Sequence, residues 1–157
     1  MDGDRQQDAN YYAEVIERYS DMVLRIAYQN TFNKYDAEDI AQEVFIKFLR
    51  QGGFASEEHL KAWFIRVTIN QCKDWKKAFW RRSVGALGEE WPPFSEPQNS
   101  VLAEIKQLPA KYRNVIYLYY FEGYAIREIA DIMQTNPNTV SSWLVRARKK
   151  LKALVLE

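Results

Sequence analysis

Residues 125–151 read AIREIADIMQTNPNTVSSWLVRARKKL, and their spacing decides the fold class. Ile126, Ile129, Ala130 and Met133 recur at the interval of one helical face. Val140, Leu144, Ala147 and Leu151 do the same further on. Between the two sets, Asn136 is a good N-cap and Pro137 suits a first helical position, where a missing N–H costs little. The turn is short, and the small Ala130 lets the two helices approach closely. The pattern predicts a helix-turn-helix. Pointing away from its inner face on the second helix are Asn138, Ser141, Ser142, Val145, Arg146 and Lys149. Small polar and basic side chains of this kind can enter a major groove and reach base edges and phosphates. The same periodicity also fits an ordinary helical hairpin with a solvated basic face.

Upstream, Pro109 opens a further helix at its first turn, and Ser100 is an N-cap for the helix before it. Val115, Ile116, Leu118, Tyr119 and Tyr120 supply the apolar side of the Pro109 helix, and Glu122-Gly123 ends it. Residues 83–100, SVGALGEEWPPFSEPQNS, break every period and hold three of the five prolines. They read as a flexible interdomain linker, with Trp91 and Phe94 available to lie on a surface.

The first half also reads as helix. Asp36 to Arg50 carries Ala37, Ile40, Ala41, Val44, Phe45, Phe48 and Leu49 as its apolar side, with Asp36 as the expected N-cap and Gly52-Gly53 as the stop. Asp39, Gln42, Glu43 and Ile46 gather on another side, either as a solvated face or as a docking face for a protein. After the loop Phe54-Ala55-Ser56, Ser56 is expected to cap a helix over residues 57–80. On it Arg66, Asn70, Lys73 and Lys77 form one polar, mostly basic stripe beside Trp63, Phe64, Val67 and Trp75. Such a stripe is a wet surface by default. Cations with neighbouring aromatics can also track a phosphate backbone and stack on unpaired bases. No strand alternation occurs, so the expected class is all-α: two small helical domains, 1–82 and 101–157, joined by the linker 83–100.

Composition bounds the function. The chain has 157 residues, 47% hydrophobic and 15% aromatic, with a net charge of only +1. Charge is unevenly placed. Residues 1–60 hold 6 Lys and Arg against 12 Asp and Glu, whereas residues 61–82 hold 7 against 1 and residues 101–157 hold 9 against 5. Two basic blocks fit two polyanion contacts, and the acidic surface is left for another partner. One Cys and one His exclude an internal disulfide and a His/Cys metal cluster, and no glycine-rich phosphate motif occurs. Neither a catalytic residue, a metal nor a cofactor is therefore expected, nor a small-molecule substrate. The opening MDGDRQQDANYY has no apolar core and the run from Val115 to Phe121 is too short to span a bilayer, so no signal peptide and no membrane insertion are expected.

These segments resemble the sigma-70 family, in its compact extracytoplasmic-function (ECF) subfamily. DAEDIAQEVFIKF looks like that family's polymerase-binding segment, and HLKAWFIRVTINQCKDW like its promoter-melting and −10-reading segment, with Trp63, Arg66, Asn70 and Asp74 in the family spacing. LPAKYRNVIYLYYFEGYAIREIADIMQTNPNTVSSWLVRARKKL looks like its −35-reading domain. The resemblance implies a sigma factor, cytoplasmic and non-enzymatic, whose partners are core RNA polymerase, promoter DNA and an anti-sigma factor. It implies polymerase contacts at Asp39, Gln42, Glu43 and Ile46. It places −10 contacts at Phe54, Ser56, Arg66, Asn70, Lys73 and Lys77, with Phe54 either in the base-capturing loop or plugging the core. The −35 contacts fall on Asn138, Ser141, Ser142, Val145, Arg146 and Lys149. Some positions depart from the family. Gln134 stands in the turn where Gly is common, and a positive φ there would cost about 1–2 kcal/mol. Thr135 follows it at an apolar position, Ser141 and Trp143 replace basic residues, and the loop reads FASEEH without glycine. A conventional helix-turn-helix regulator that binds a duplex palindrome without polymerase is the competing reading.

Overall fold

A computed structural model describes residues 2–51, 53–83 and 106–156. Gly52, the linker from residue 84 onward with Trp91 and Phe94, and Ser100 lie outside the described residues. The described residues form helices and no strands. The chain divides into two compact units, Met1–Pro93 and Phe94–Glu157, with the division inside the segment read as a linker.

The first unit packs three helices on one another: α1 (Asp2–Thr31), α2 (Lys34–Arg50) and α3 (Glu57–Ser83). Their buried stripes follow the helical period. Val15, Tyr19, Met22, Val23 and Ile26 come from α1, Ile40, Val44 and Phe48 from α2, and Leu60, Phe64, Ile65, Ile69 and Cys72 from α3. Phe48 sits at the centre, its ring centroid 5.1 Å from Phe64, 5.4 Å from Tyr12 and 6.2 Å from both Trp63 and Phe54. Full burial of such a side chain contributes about 1.5–3 kcal/mol.

Three expectations need correction here. The cap of α2 is Asn33, not Asp36: Asn33 is extended (φ −137°, ψ 121°) and its Oδ1 accepts from the Asp36 N–H at 3.0 Å. Asp36 instead lies in the first turn, where its carboxylate faces the positive helix end. Leu49 is 50% exposed. It follows Ile46 by three residues, on the outer edge rather than the Val44–Phe48 stripe. The helix stop is the extended Gln51, whose N–H donates to the carbonyls of Lys47 and Phe48 at 3.0 and 3.1 Å. Ser56 does cap α3, which runs three residues beyond the expected end: its Oγ accepts from the His59 N–H at 3.2 Å.

The second unit consists of α4 (Ala110–Ile116), a π-helical turn over Tyr117–Phe121, α5 (Ile126–Ile132) and α6 (Pro137–Leu156). Pro109 lies just outside α4, and its carbonyl accepts from Tyr112 and Arg113. The π turn corrects the expected apolar face. Its wider winding leaves Leu118 buried but turns Tyr120 out to 58% and Phe121 to 63% exposure. Gly123, at φ +77°, closes the segment as Tyr124 N–H reaches the Leu118 carbonyl at 2.9 Å. Ile129, Ala130 and Ile132 of α5 pack with Val140, Leu144 and Ala147 of α6 as the buried core, Ile132 taking the place expected of the half-buried Met133.

The turn between α5 and α6 has the geometry of a Schellman motif. Thr135 N–H donates to Ala130 O at 2.9 Å and Gln134 N–H to Asp131 O at 3.3 Å. Gln134 sits at φ +55°, so the strain anticipated for a non-glycine residue is present. Asn136 then caps α6, its Oδ1 accepting from Thr139 N–H at 2.9 Å and Thr139 Oγ1 at 3.0 Å.

Candidate nucleic-acid interface

On α6, burial of Val140, Leu144 and Ala147 forces the opposite side outward. Asn138, Ser142, Val145, Arg146 and Lys149 are exposed and Ser141 is half-buried, so one face carries the six residues expected to meet duplex DNA. Three of them, Asn138, Ser142 and Arg146, line a shallow cup of about 370 Å³ together with Asn136, Thr139 and Trp143. Trp143 lies outside the contact set expected from the sequence. Its ring packs partly on the core of Leu108, Tyr112 and Ala147, with the Lys111 ammonium 5.5 Å from its centroid. Beside this face, Arg148 donates to the Tyr120 hydroxyl and lies 5.7 Å from the Tyr119 ring centre. The exposed π-turn aromatic therefore holds a cation of α6 in place, a link between positions 28 residues apart.

The stripe on α3 is a different surface. Asn70, Lys73 and Lys77 are exposed and Arg66 is half-buried. Beyond Lys73 the helix forms a groove of about 490 Å³ lined by Lys73, Lys76, Lys77, Trp80 and Arg81. The Trp75 and Phe79 rings stack on each other at 5.7 Å and 18°, about half a turn round the helix from this groove. Lys76, Trp80 and Arg81 extend the predicted set, and their signal was present in the basic run that ends the helix.

The loop before α3 has one packed anchor. Phe54 is half-buried, stacked on Phe48 at 24° and edge-on to Trp63 at 5.4 Å. Its ring thus belongs to the aromatic cluster, while Ala55 and Ser56 are exposed. At the start of α3, Glu57 joins α1: Arg18 Nη1 donates at 2.7 Å and the Tyr19 hydroxyl at 2.8 Å. The hydrogen bond from Tyr19, then that from Arg18, hold the Glu57 carboxyl below the usual carboxylate range. Burial, reinforced by Glu57, pushes the Tyr19 phenol up. The bond to Glu57 raises the Arg18 guanidinium further.

On α2, Asp39, Gln42, Glu43 and Ile46 are all exposed. Tyr35 and Leu49, 76% and 50% exposed, extend the same i, i+3, i+4 row. Exposed apolar groups among acidic ones suit a protein partner better than plain solvent. Among the described residues no group of His, Cys, Asp or Glu is placed to hold a metal ion, and no helix is long and apolar enough to cross a membrane.

Known proteins share this organisation. The family described as Sigma-70 region 2 matches residues 15–82, and that described as Sigma-70, region 4 matches residues 98–151. The chain is 26% identical to the ECF RNA polymerase sigma factor SigW of Bacillus subtilis, over 94% of this chain and 90% of that one. It is 31% identical to the ECF RNA polymerase sigma-E factor of Escherichia coli K12, over 74% of this chain and 72% of that one. In fold it resembles the sigma factor RpoE of Bartonella quintana, solved in complex with the anti-sigma factor NepR, with a TM-score of 0.78 and 20% identity over 92% of this chain and 96% of that one. The chain belongs to the sigma-70 family, as an ECF sigma factor.

Proposed function

We propose that this chain is an alternative sigma factor that binds core RNA polymerase, reads −10 and −35 promoter elements and helps to open the DNA, without catalysis of its own. The observation that carries the reading is the presence, in family order, of two unlike basic helical faces on separate units, with an acidic and apolar face on α2. Residues 1–82 then bind polymerase through Asp39, Gln42, Glu43 and Ile46, with Tyr35 and Leu49 beside them. They hold the −10 region through Ser56, Arg66, Asn70, Lys73 and Lys77. Phe54 serves this loop from within, as its half-buried anchor. Residues 101–157 read −35 duplex through Asn138, Ser141, Ser142, Val145, Arg146 and Lys149, and residues 83–100 link the two. Such a protein works in the cytoplasm, where its polymerase is, and the relative solved with NepR favours an anti-sigma partner here too.

The test is reconstitution. The purified protein should co-elute with core polymerase and start transcription at a discrete promoter. Charge reversal by Asp39→Lys with Glu43→Lys should weaken co-elution while the far-ultraviolet dichroism stays helical. Unchanged co-elution removes α2 as the docking face, and tight binding to a palindrome without polymerase overturns the function.

A further inference from the structure

The start of α3 is held by a side-chain junction that neither DNA face includes. Glu57 is the first residue of α3, directly after the capping Ser56. Its two carboxylate oxygens are divided between two donors on α1: Arg18 Nη1 at 2.7 Å on Oε1 and the Tyr19 hydroxyl at 2.8 Å on Oε2. Tyr19 is no freely rotating surface group. It is 8% exposed, and its ring centroid lies 5.1 Å from that of Phe64, a fully buried residue of α3. Core packing therefore fixes the phenol oxygen, and the phenol oxygen fixes the carboxylate.

The other end of the same loop is anchored by Phe54 against Phe48 and Trp63. Ala55 and Ser56 are left exposed between the two anchors. A carboxylate at this position also faces the positive end of the helix, so its charge favours an ordered first turn.

We propose that Tyr19 and Glu57 are positioning residues for promoter opening: their hydrogen bond holds the first turn of α3, and with it the Ala55–Ser56 edge, in the geometry that receives an unstacked base. The proposal rests on the melting role given to this loop above. Taking a base out of the stack is costly. A receiving edge that also had to be ordered at that moment would lose part of the binding gain, whereas one ordered during folding does not. The two donors differ in weight. The Arg18–Glu57 pair is solvent-exposed, with side chains 49% and 59% accessible, and water screens it. Tyr19 approaches from the core, so its hydrogen bond carries the effect.

The experiment uses the full chain with core polymerase. Tyr19→Phe, Glu57→Ala, Glu57→Gln and Arg18→Ala are compared with wild type in thermal melting, core co-elution, closed-complex formation and permanganate reactivity of −10 thymines. Tyr19→Phe and Glu57→Ala should lower opening about three- to tenfold, the size of one hydrogen bond, while core binding and closed-complex formation stay at wild-type levels. Glu57→Gln keeps an acceptor for Tyr19 and should restore most of the opening, and Arg18→Ala should change it least. Asn70→Ala and Lys73→Ala run in parallel. If these two impair opening specifically while Tyr19→Phe and Glu57→Ala do not, the junction is only a structural pin and the proposal is wrong. If all four lower duplex binding and opening in step, the melting role fails and takes the proposal with it.

Discussion

Helices α3 and α6 both carry cations on an outward side, yet they are built differently. On α6 the outward residues toward the N-terminus are small and polar, and the exposed cations follow at Arg146 and Lys149. On α3 the cations Lys73, Lys76, Lys77 and Arg81 share a groove with Trp80, while the Trp75–Phe79 stack lies about half a turn round the helix. A helix that enters a closed major groove needs side chains that fit between base edges. One that holds an opened strand needs cations for the backbone and flat surfaces for unpaired bases. On the proposed reading, α6 meets closed duplex with small polar groups at its start, and α3 holds an opened strand with lysines that share their groove with Trp80.

The largest effects come from the cores beneath the two faces. Phe48→Ala should cost the first unit about 3–5 kcal/mol, and Leu144→Ala the second about 2–5 kcal/mol, because each leaves a cavity in a closed packing. Calorimetry with near-ultraviolet dichroism should show each change lowering the melting of its own unit. Next in size are the residues proposed to read bases. Ser142→Ala or Asn138→Ala should shift base preference by about 1–3 kcal/mol at single positions, measured by binding to a panel of −35 variants. Arg146→Ala or Lys149→Ala should weaken all sequences alike and reduce the salt slope by about 0.9 each. On α3, Lys73→Ala or Lys77→Ala should reduce the slope for single-stranded −10 DNA by about 0.7 each and leave −35 duplex binding unchanged. Equal losses on both DNA forms would erase the distinction.

Smaller effects sharpen it. Gln134→Gly relieves a positive φ and should stabilise the second unit by up to about 1 kcal/mol, read as a higher melting temperature with unchanged −35 preference. The smallest effect is in pH. Glu57 has a depressed carboxyl, so its contribution to stability is complete above the ordinary value of about 4.3 and fades as pH falls through the lower folded value. The melting difference between wild type and Glu57→Gln should therefore close on acidification. A constant difference across that range would show that the carboxylate's charge contributes nothing.

Much of this architecture was legible because its signals are local. A cap and the N–H that donates to it lie three residues apart, as in Ser56 with His59 and Asn136 with Thr139, and each was read correctly from residue type. The inner face of α6 followed from intervals of three and four, and that of α5 followed except that Ile132 replaced Met133. Asn33 was overlooked for Asp36, although both are capping residues, because only the extended backbone at Asn33 separates them. The acidic row on α2 was found, while its apolar members Tyr35 and Leu49 were passed over or assigned to the core.

The sequence by itself determined that the chain is helical, where the second unit turns, and which side chains of α3 and α6 share a face. The 3.6-residue period sets those angles inside a single helix, with no help from the rest of the molecule. Only the tertiary structure decided which edge of each face is covered. It put Phe54 into the cluster of Phe48 and Trp63, turned Leu49, Tyr120 and Phe121 outward, and brought Glu57 to Arg18 and Tyr19. The last contacts join residues 38 and 39 positions apart, beyond the reach of any local pattern. Packing between helices fixes such distances, and one π turn is enough to change which aromatic ring meets water.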